Sequence, residues 1–152
     1  MLPSSILSDV FHRFCLLFSV LGTLLLSFSV LASNSTSVIT NKSCNVNALS
    51  SYELHAVFSL RQQFWDNGLN IQLVTLRADH PDHKLFTIER LGIQPFQLQR
   101  LWSRRIFQGL GKKPIIVDTP FELIQVVTST PGAIGYVNNK FNLNNDSLKV
   151  HK

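Results

Sequence analysis

Apolar and polar positions follow two different periods along the chain, and these periods predict alternating strands and helices. The short β-branched stretch "SVIT" and the alternating residues 69–76 are typical of strands, and "PIIVD" predicts a compact buried strand. Between them, apolar residues three and four apart predict helices that begin after Ser50 and at Pro81, Pro95 and Pro120. Strands that alternate with helices favour an α/β fold with a mostly parallel sheet.

Capping signals support the predicted helix starts. Ser50 with Glu53, and Thr119 with Glu122, have the spacing of capping boxes, and Gly92 is a stop signal for the second helix. For the last two helices the spacing predicts the buried faces. One contains Leu98, Leu101, Trp102 and Ile106, interrupted by Arg105, and the other contains Phe121, Ile124 and Val127. We also expect three aromatic residues in the core: Trp65, Trp102 and Phe107.

The stretch "TPGAIGYV", residues 130–137, predicts a helix end, a reversal and a buried strand within eight residues. Pro131 forbids further helix, Gly132 permits the reversing dihedral angle, and Gly135 lets the strand approach its neighbours closely. The Asn-rich residues 138–152 contain few apolar side chains and predict a disordered tail.

The first 32 residues have the pattern of a secretory signal peptide. A short segment with Arg13 precedes the nearly uncharged run 14–32, which ends on small residues at Ala32. The alternative is an uncleaved membrane anchor, because the run approaches the length of about 20 residues that spans a bilayer. We therefore predict a periplasmic protein with one domain at 33–137, membrane-anchored if the signal is retained.

Charge and cysteine content narrow the partners and the chemistry. The formal net charge of +5 suggests anionic partners, but export and scattered Lys and Arg argue against nucleic acid. Cys44 is the only cysteine after residue 32, which predicts a buried free thiol and excludes an internal disulfide. Nucleophile elbows and Gly-rich phosphate loops are lacking in the sequence, so we expect a protein that is not an enzyme and uses no cofactor.

Several stretches together resemble the phosphate-binding proteins of ABC transporters, and in particular their short single-lobe relatives. These stretches are "AVFSLRQQFWDNG", the helix end "LWSRRIFQG" and "TPGAIGYV", within a likeness that covers residues 37–137. The resemblance implies a single lobe of a periplasmic binding protein type II fold, with a mixed, mostly parallel sheet flanked by helices. It also implies phosphate or another small oxyanion as the ligand.

The resemblance places the candidate ligand site at "RADHPDHK". The family holds phosphate with an Arg that is followed, two residues later, by Gly-Ser-Gly-Thr. Here Arg77 and Asp79 match, but His80-Pro81-Asp82-His83 replaces the Gly-Ser-Gly-Thr, removing an amide donor and adding a negative charge. Arg77, Asp79, His80 and His83 are the candidate ligand-binding residues.

Two alternatives at this segment remain open. In the first alternative, Arg77 only forms a surface ion pair and both histidines are solvated. The second alternative is a metal site at "DHPDH", for which no third ligand is evident. Two functions follow from the pattern. One is an exported solute-binding module for ABC transport or sensing, with a permease, an envelope protein or a second copy supplying the other wall. The other is a periplasmic accessory or interaction protein that kept the fold but lost anion binding.

Overall fold

The computed structural model describes residues 35–141 and 148–151, all of which belong to one compact unit. The predicted signal peptide or anchor at 1–32 lies outside the described residues. The strands are β1 (Thr36–Asn41), β2 (Gln72–Leu76), β3 (Ile115–Val117), β4 (Ala133–Asn138) and β5 (Leu148–His151). The α-helices are α1 (Ser51–Phe58), α2 (Pro81–Leu91), α3 (Pro95–Phe107) and α4 (Pro120–Ser129).

The five strands form one mixed sheet in the order β3-β2-β4-β1-β5. β2 pairs in parallel with β3 and β4, whereas β1 is antiparallel to both β4 and β5, so four of the five strands point the same way. Helical connections between the parallel strands follow from this geometry, because parallel strands need long crossovers. The α/β fold with a mostly parallel sheet is confirmed.

Helix starts and stops follow the capping chemistry in the sequence. The Ser50 hydroxyl accepts from the Glu53 amide while Glu53 accepts from the Ser50 amide, a complete capping box for α1. α2 ends at Gly92, which has φ +63°. Thr119 caps α4 as expected, but Glu122 bonds the amide of Asp118 instead of that of Thr119.

The core lies between the sheet and the helices. Its largest fully buried side chains include Phe58 of α1, Phe86 of α2 and Tyr136 of β4. The Phe86 and Tyr136 rings stack with centroids 4.0 Å apart, and Phe58 packs on Phe86 at 4.7 Å. Each buried side chain of this size contributes roughly 2–3 kcal/mol relative to its exposed state. Cys44 is free and buried, as predicted.

The reversal in "TPGAIGYV" has the structural cause that the sequence indicates. Gly132 has φ +76°, and an added Cβ there would clash with the carbonyl oxygen of Asn70. The Gly132 carbonyl in turn accepts from the Trp65 indole N–H at 2.9 Å. At Gly135 a Cβ would lie 2.7 Å from Cδ2 of Leu123, so the glycine lets α4 pack directly on β4.

Several expectations about burial and order are wrong. β3 is an edge strand in which Ile115 and Ile116 are exposed, because it has a neighbour on one side only. Phe107, expected in the core, is 93% exposed at the end of α3. α4 buries Leu123 and Val127 while Phe121 is exposed. The predicted tail instead contains the end of β4 and, at residues 148–151, β5, which pairs with β1.

The face of α3 is narrower than predicted: Pro95, Leu98 and Trp102 are buried, whereas Leu101 is 41% exposed. Trp65 and Trp102 are core residues, as expected.

Within residues 35–141 and 148–151, no helix combines the length and the apolar character needed to cross a membrane.

Candidate functional site

The candidate residues lie at the carboxyl edge of the three parallel strands. Arg77 follows β2, Asp118 follows β3 and Asn138 ends β4. α2 and α4 begin at this same edge, directly after β2 and β3. In open α/β sheets, ligands bind outside the carboxyl ends of the strands, so this edge is the expected position for a site.

Arg77 lies at the surface and is paired with two carboxylates. Its Nε and Nη2 atoms donate to the two carboxylate oxygens of Asp79, both at 3.2 Å, and its Nη1 lies 3.6 Å from Asp118. These contacts raise the pKa of Arg77, and the hydrogen bond from Arg77 lowers the pKa of Asp79. Both side chains are more than half exposed, so solvent weakens the pair. The ion-pair alternative for Arg77 therefore describes the structure.

His80 caps α2 and occupies the helix's free amide groups. Its Nδ1 accepts from the Asp82 amide at 3.1 Å, and its carbonyl accepts from the amides of His83 and Lys84. Pro81 has no amide hydrogen. The first turn of α2 thus has no unused amide to offer an anion, unlike the helix start of a phosphate cradle.

His83 points into the core and is 1% exposed, which contradicts the alternative of a solvated residue. The Tyr136 hydroxyl accepts from the Leu76 amide at 3.1 Å, and the Thr75 hydroxyl donates to the Leu76 carbonyl. His83 Nδ1 lies 2.5 Å from the Tyr136 hydroxyl and 3.1 Å from the Thr75 hydroxyl, and the two hydroxyls lie 2.9 Å apart, so the three side chains form one hydrogen-bonded cluster. Burial, and secondarily the charge of His80, lowers the pKa of His83 to about 4.

Burial also raises the pKa of Tyr136, so its hydroxyl stays protonated over the pH range in which proteins are handled. His83 Nε2 is buried and has no hydrogen-bond partner among the described residues. The polar cluster of Thr75, His83 and Tyr136 fixes α2 to β2 and β4 beneath the surface at which Arg77 lies.

The structure brings Arg77, Asp79 and His80 together at the surface and places His83 below them. The sequence analysis missed Asp118 and Asn138; the Asn138 amide donates to the Asp82 carboxylate at 3.0 Å. Each directly follows or ends a strand that is parallel to β2, which is the signal that would have identified them. Among the described residues, no group of three or more His, Cys, Asp or Glu side chains is arranged to hold a metal ion.

Three solved structures share this fold. They are an ABC-type phosphate transport receptor from Vibrio cholerae (TM-score 0.54, 14% identity), PstS from Borrelia burgdorferi (0.53, 14%) and a putative phosphate ABC transporter substrate-binding protein with bound phosphate from Clostridium perfringens (0.58, 17%). The matches cover 78%, 70% and 78% of this chain and 46%, 41% and 44% of the respective structures. No protein-family model and no curated protein sequence matches the chain.

The comparisons confirm the resemblance to phosphate substrate-binding proteins at the level of the fold. The chain spans less than half the length of each of these three structures. This share agrees with the expected single lobe of a periplasmic binding protein fold.

Proposed function

We propose that the chain is an exported solute-binding module that takes phosphate or another small oxyanion at Arg77. The observation that carries the proposal is the position of Arg77, which presents a two-pronged donor at the carboxyl edge of a sheet with the fold of phosphate-binding proteins. A guanidinium group binds carboxylate and phosphate oxygens in the same bidentate geometry.

Binding in this site is an exchange. The oxyanion takes the place of the Asp79 carboxylate on Arg77, and His80 contributes a second donor through its Nε2 hydrogen. His83 is buried, so we assign it a positioning role: it holds the start of α2 against Tyr136 and does not touch the ligand. Asp79 competes with the anion, which predicts weaker binding than an amide cradle would give.

One lobe leaves the anion on an open surface, whereas solute-binding proteins enclose the ligand between two domains. A second wall from a permease, another envelope protein or a second copy of this chain completes the site in our proposal. Delivery to an ABC permease, or sensing, is the corresponding role, and it places the protein in the periplasm. The proposed activity is binding, not catalysis.

The test is a thermal-denaturation titration of the full chain with phosphate and with sulfate, at constant ionic strength. Binding stabilises the folded state by RT ln(1 + [L]/Kd), about 1.4 kcal/mol at ten times Kd. We expect Arg77→Ala to abolish the shift and Asp79→Asn to increase it, because the second variant removes the competing carboxylate. Lys84→Ala, which removes an exposed cation one turn into α2, is the matched control and keeps the shift.

An absence of stabilisation at millimolar anion in both the natural chain and Asp79→Asn would overturn the proposal. The accessory or interaction protein that no longer binds anions would then be the better description. Equal shifts in the Arg77→Ala variant would show that the anion binds somewhere else.

A further inference from the structure

A groove lies at the opposite end of α2 from Arg77. It has a volume of about 390 Å³ and is lined by the end of α1, the residues that follow α2, and one side of α3. α2 has 11 residues, so the groove is about 16 Å along the helix from the start of α2. This surface is separate from the proposed oxyanion site.

The floor of the groove is apolar. Leu91 and Leu98 are buried in it, and Ile93 and the 41% exposed Leu101 extend it toward the surface. Phe107, which is 93% exposed, lies at the end of the same helix α3. Exposed apolar surface of this kind, bordered by polar groups, is typical of a protein-interaction site.

The rim of the groove is cationic. Arg61, Arg104 and Arg105 line it together with His55, and within the described part of the chain no Asp or Glu is among its lining residues. None of the ion pairs formed by the described residues involves these arginines. Arg105 is held by its Nε atom, which donates to the Leu60 carbonyl at 3.1 Å.

Helix-end electrostatics account for only part of this arrangement. Arg104 and Arg105 lie in the last turn of α3, where cations favour the helix dipole. Arg61 comes from a different segment, after α1, and its guanidinium lies 5.8 Å from the centre of the Tyr52 ring. Three cations therefore converge from two elements around an apolar floor, and the helix dipole does not explain that convergence.

We propose that this groove binds an acidic amphipathic helix of a partner protein. The apolar stripe of such a helix would lie on Leu98 and Leu101, and its flanking carboxylates would face Arg61 and Arg104. A concave groove fits a convex helix better than a flat lipid surface. A second copy of this chain is a poor occupant, because the chain carries a net charge of +5.

The test measures fluorescence anisotropy of a labelled synthetic helical peptide of about 15 residues, with Leu at positions i, i+3, i+4 and i+7 and Glu on either side. The control peptide has Lys in place of every Glu. The full chain is expected to bind the acidic peptide and not the basic one, and added salt is expected to weaken the complex.

Charge-reversal variants locate the binding surface. Arg104→Glu is expected to weaken binding about tenfold. Lys113 is an exposed cation outside the groove, so Lys113→Glu is expected to weaken binding less than about twofold. Leu101→Ser tests the floor separately and is also expected to weaken binding. Circular dichroism checks that each variant is folded, and Arg61→Glu replaces Arg104→Glu if the latter is not.

Equal affinity for both peptides, or equal losses in Arg104→Glu and Lys113→Glu, would overturn the proposal. Arg104-dependent binding to phosphatidylglycerol vesicles without binding of the acidic peptide would also overturn it, in favour of a membrane surface. Arg77→Ala is expected to leave peptide binding unchanged, so the groove and the oxyanion site can fail independently.

Discussion

Lowering the pH from 7.5 to 5 should destabilise this protein through His83. The imidazole is 1% exposed, and its Nδ1 lies 2.5 Å from the Tyr136 hydroxyl. Protonation would place a charge in the core. Burial therefore holds the pKa of His83 at about 4 in the folded protein, compared with 6.5 for an ordinary histidine.

The sign and size of the effect follow from these two values. Between pH 6.5 and 4 the unfolded chain binds a proton at this position that the folded chain does not, so stability falls as the pH falls. The full difference of 2.5 pKa units corresponds to about 3 kcal/mol, and about 2 kcal/mol of it is lost by pH 5. Such a loss is a large share of the roughly 5–15 kcal/mol that stabilises a typical domain.

Urea denaturation of the full chain at several pH values, followed by fluorescence of the buried Trp65 and Trp102, measures this loss. His83→Asn keeps a polar group near the position of Nδ1 but does not titrate, so between pH 7.5 and 5 it should lose about 2 kcal/mol less stability than the natural chain. Burial also lowers the pKa of His151, whose Nε2 lies 3.0 Å from the Thr40 hydroxyl; His151→Gln isolates that contribution. An equal pH slope in the natural chain and in His83→Asn would refute the reasoning.

Two further predictions concern packing, each with a matched control, and urea denaturation at pH 7.5 measures both. Gly132→Ala should lower the free energy of unfolding by more than about 3 kcal/mol, because the positive φ strains any L-residue and the new methyl group meets the Asn70 carbonyl. Gly92 has a similar φ but open space around it, so Gly92→Ala should lower the free energy of unfolding by only about 1–2 kcal/mol. Phe107→Ala should change stability by less than about 0.5 kcal/mol, whereas Phe86→Ala should cost about 3–5 kcal/mol because it leaves a cavity beneath Tyr136. Equal costs within either pair would contradict the packing described above.

Local signals in the sequence predict where helices begin and end, but not which side of a helix is buried. The ends follow from nearby chemistry, such as the Ser50 cap and the Gly92 stop. The buried side of α4 depends instead on Gly135, which belongs to β4 and makes room for Leu123. Periodicity alone therefore favoured Phe121, which the structure leaves at the surface.

Long-range pairing explains the error at the chain end. The segment before β5 is rich in asparagine, and composition gives no sign that residues 148–151 find a partner. That partner is β1, more than a hundred residues away in sequence; His151 pairs with Val38, and its ring lies 3.0 Å from the Thr40 hydroxyl. Unlike β1 and β4, β5 has no β-branched or apolar run of its own that would have indicated a strand.

The candidate site also depends on contacts between segments that are distant in sequence, and these contacts affect the proposed function. The resemblance located Arg77, but Asp118 is brought to it only by the parallel pairing of β2 and β3. The sequence shows that Pro81 lacks an amide hydrogen, but it does not show that His80 uses the amides that remain at the start of α2. In the proposed function, an anion would have to displace a carboxylate and would gain no amide from α2, so Arg77 would supply attraction but little selectivity. In the proposed function, discrimination between phosphate and sulfate must therefore come from the second wall of the site.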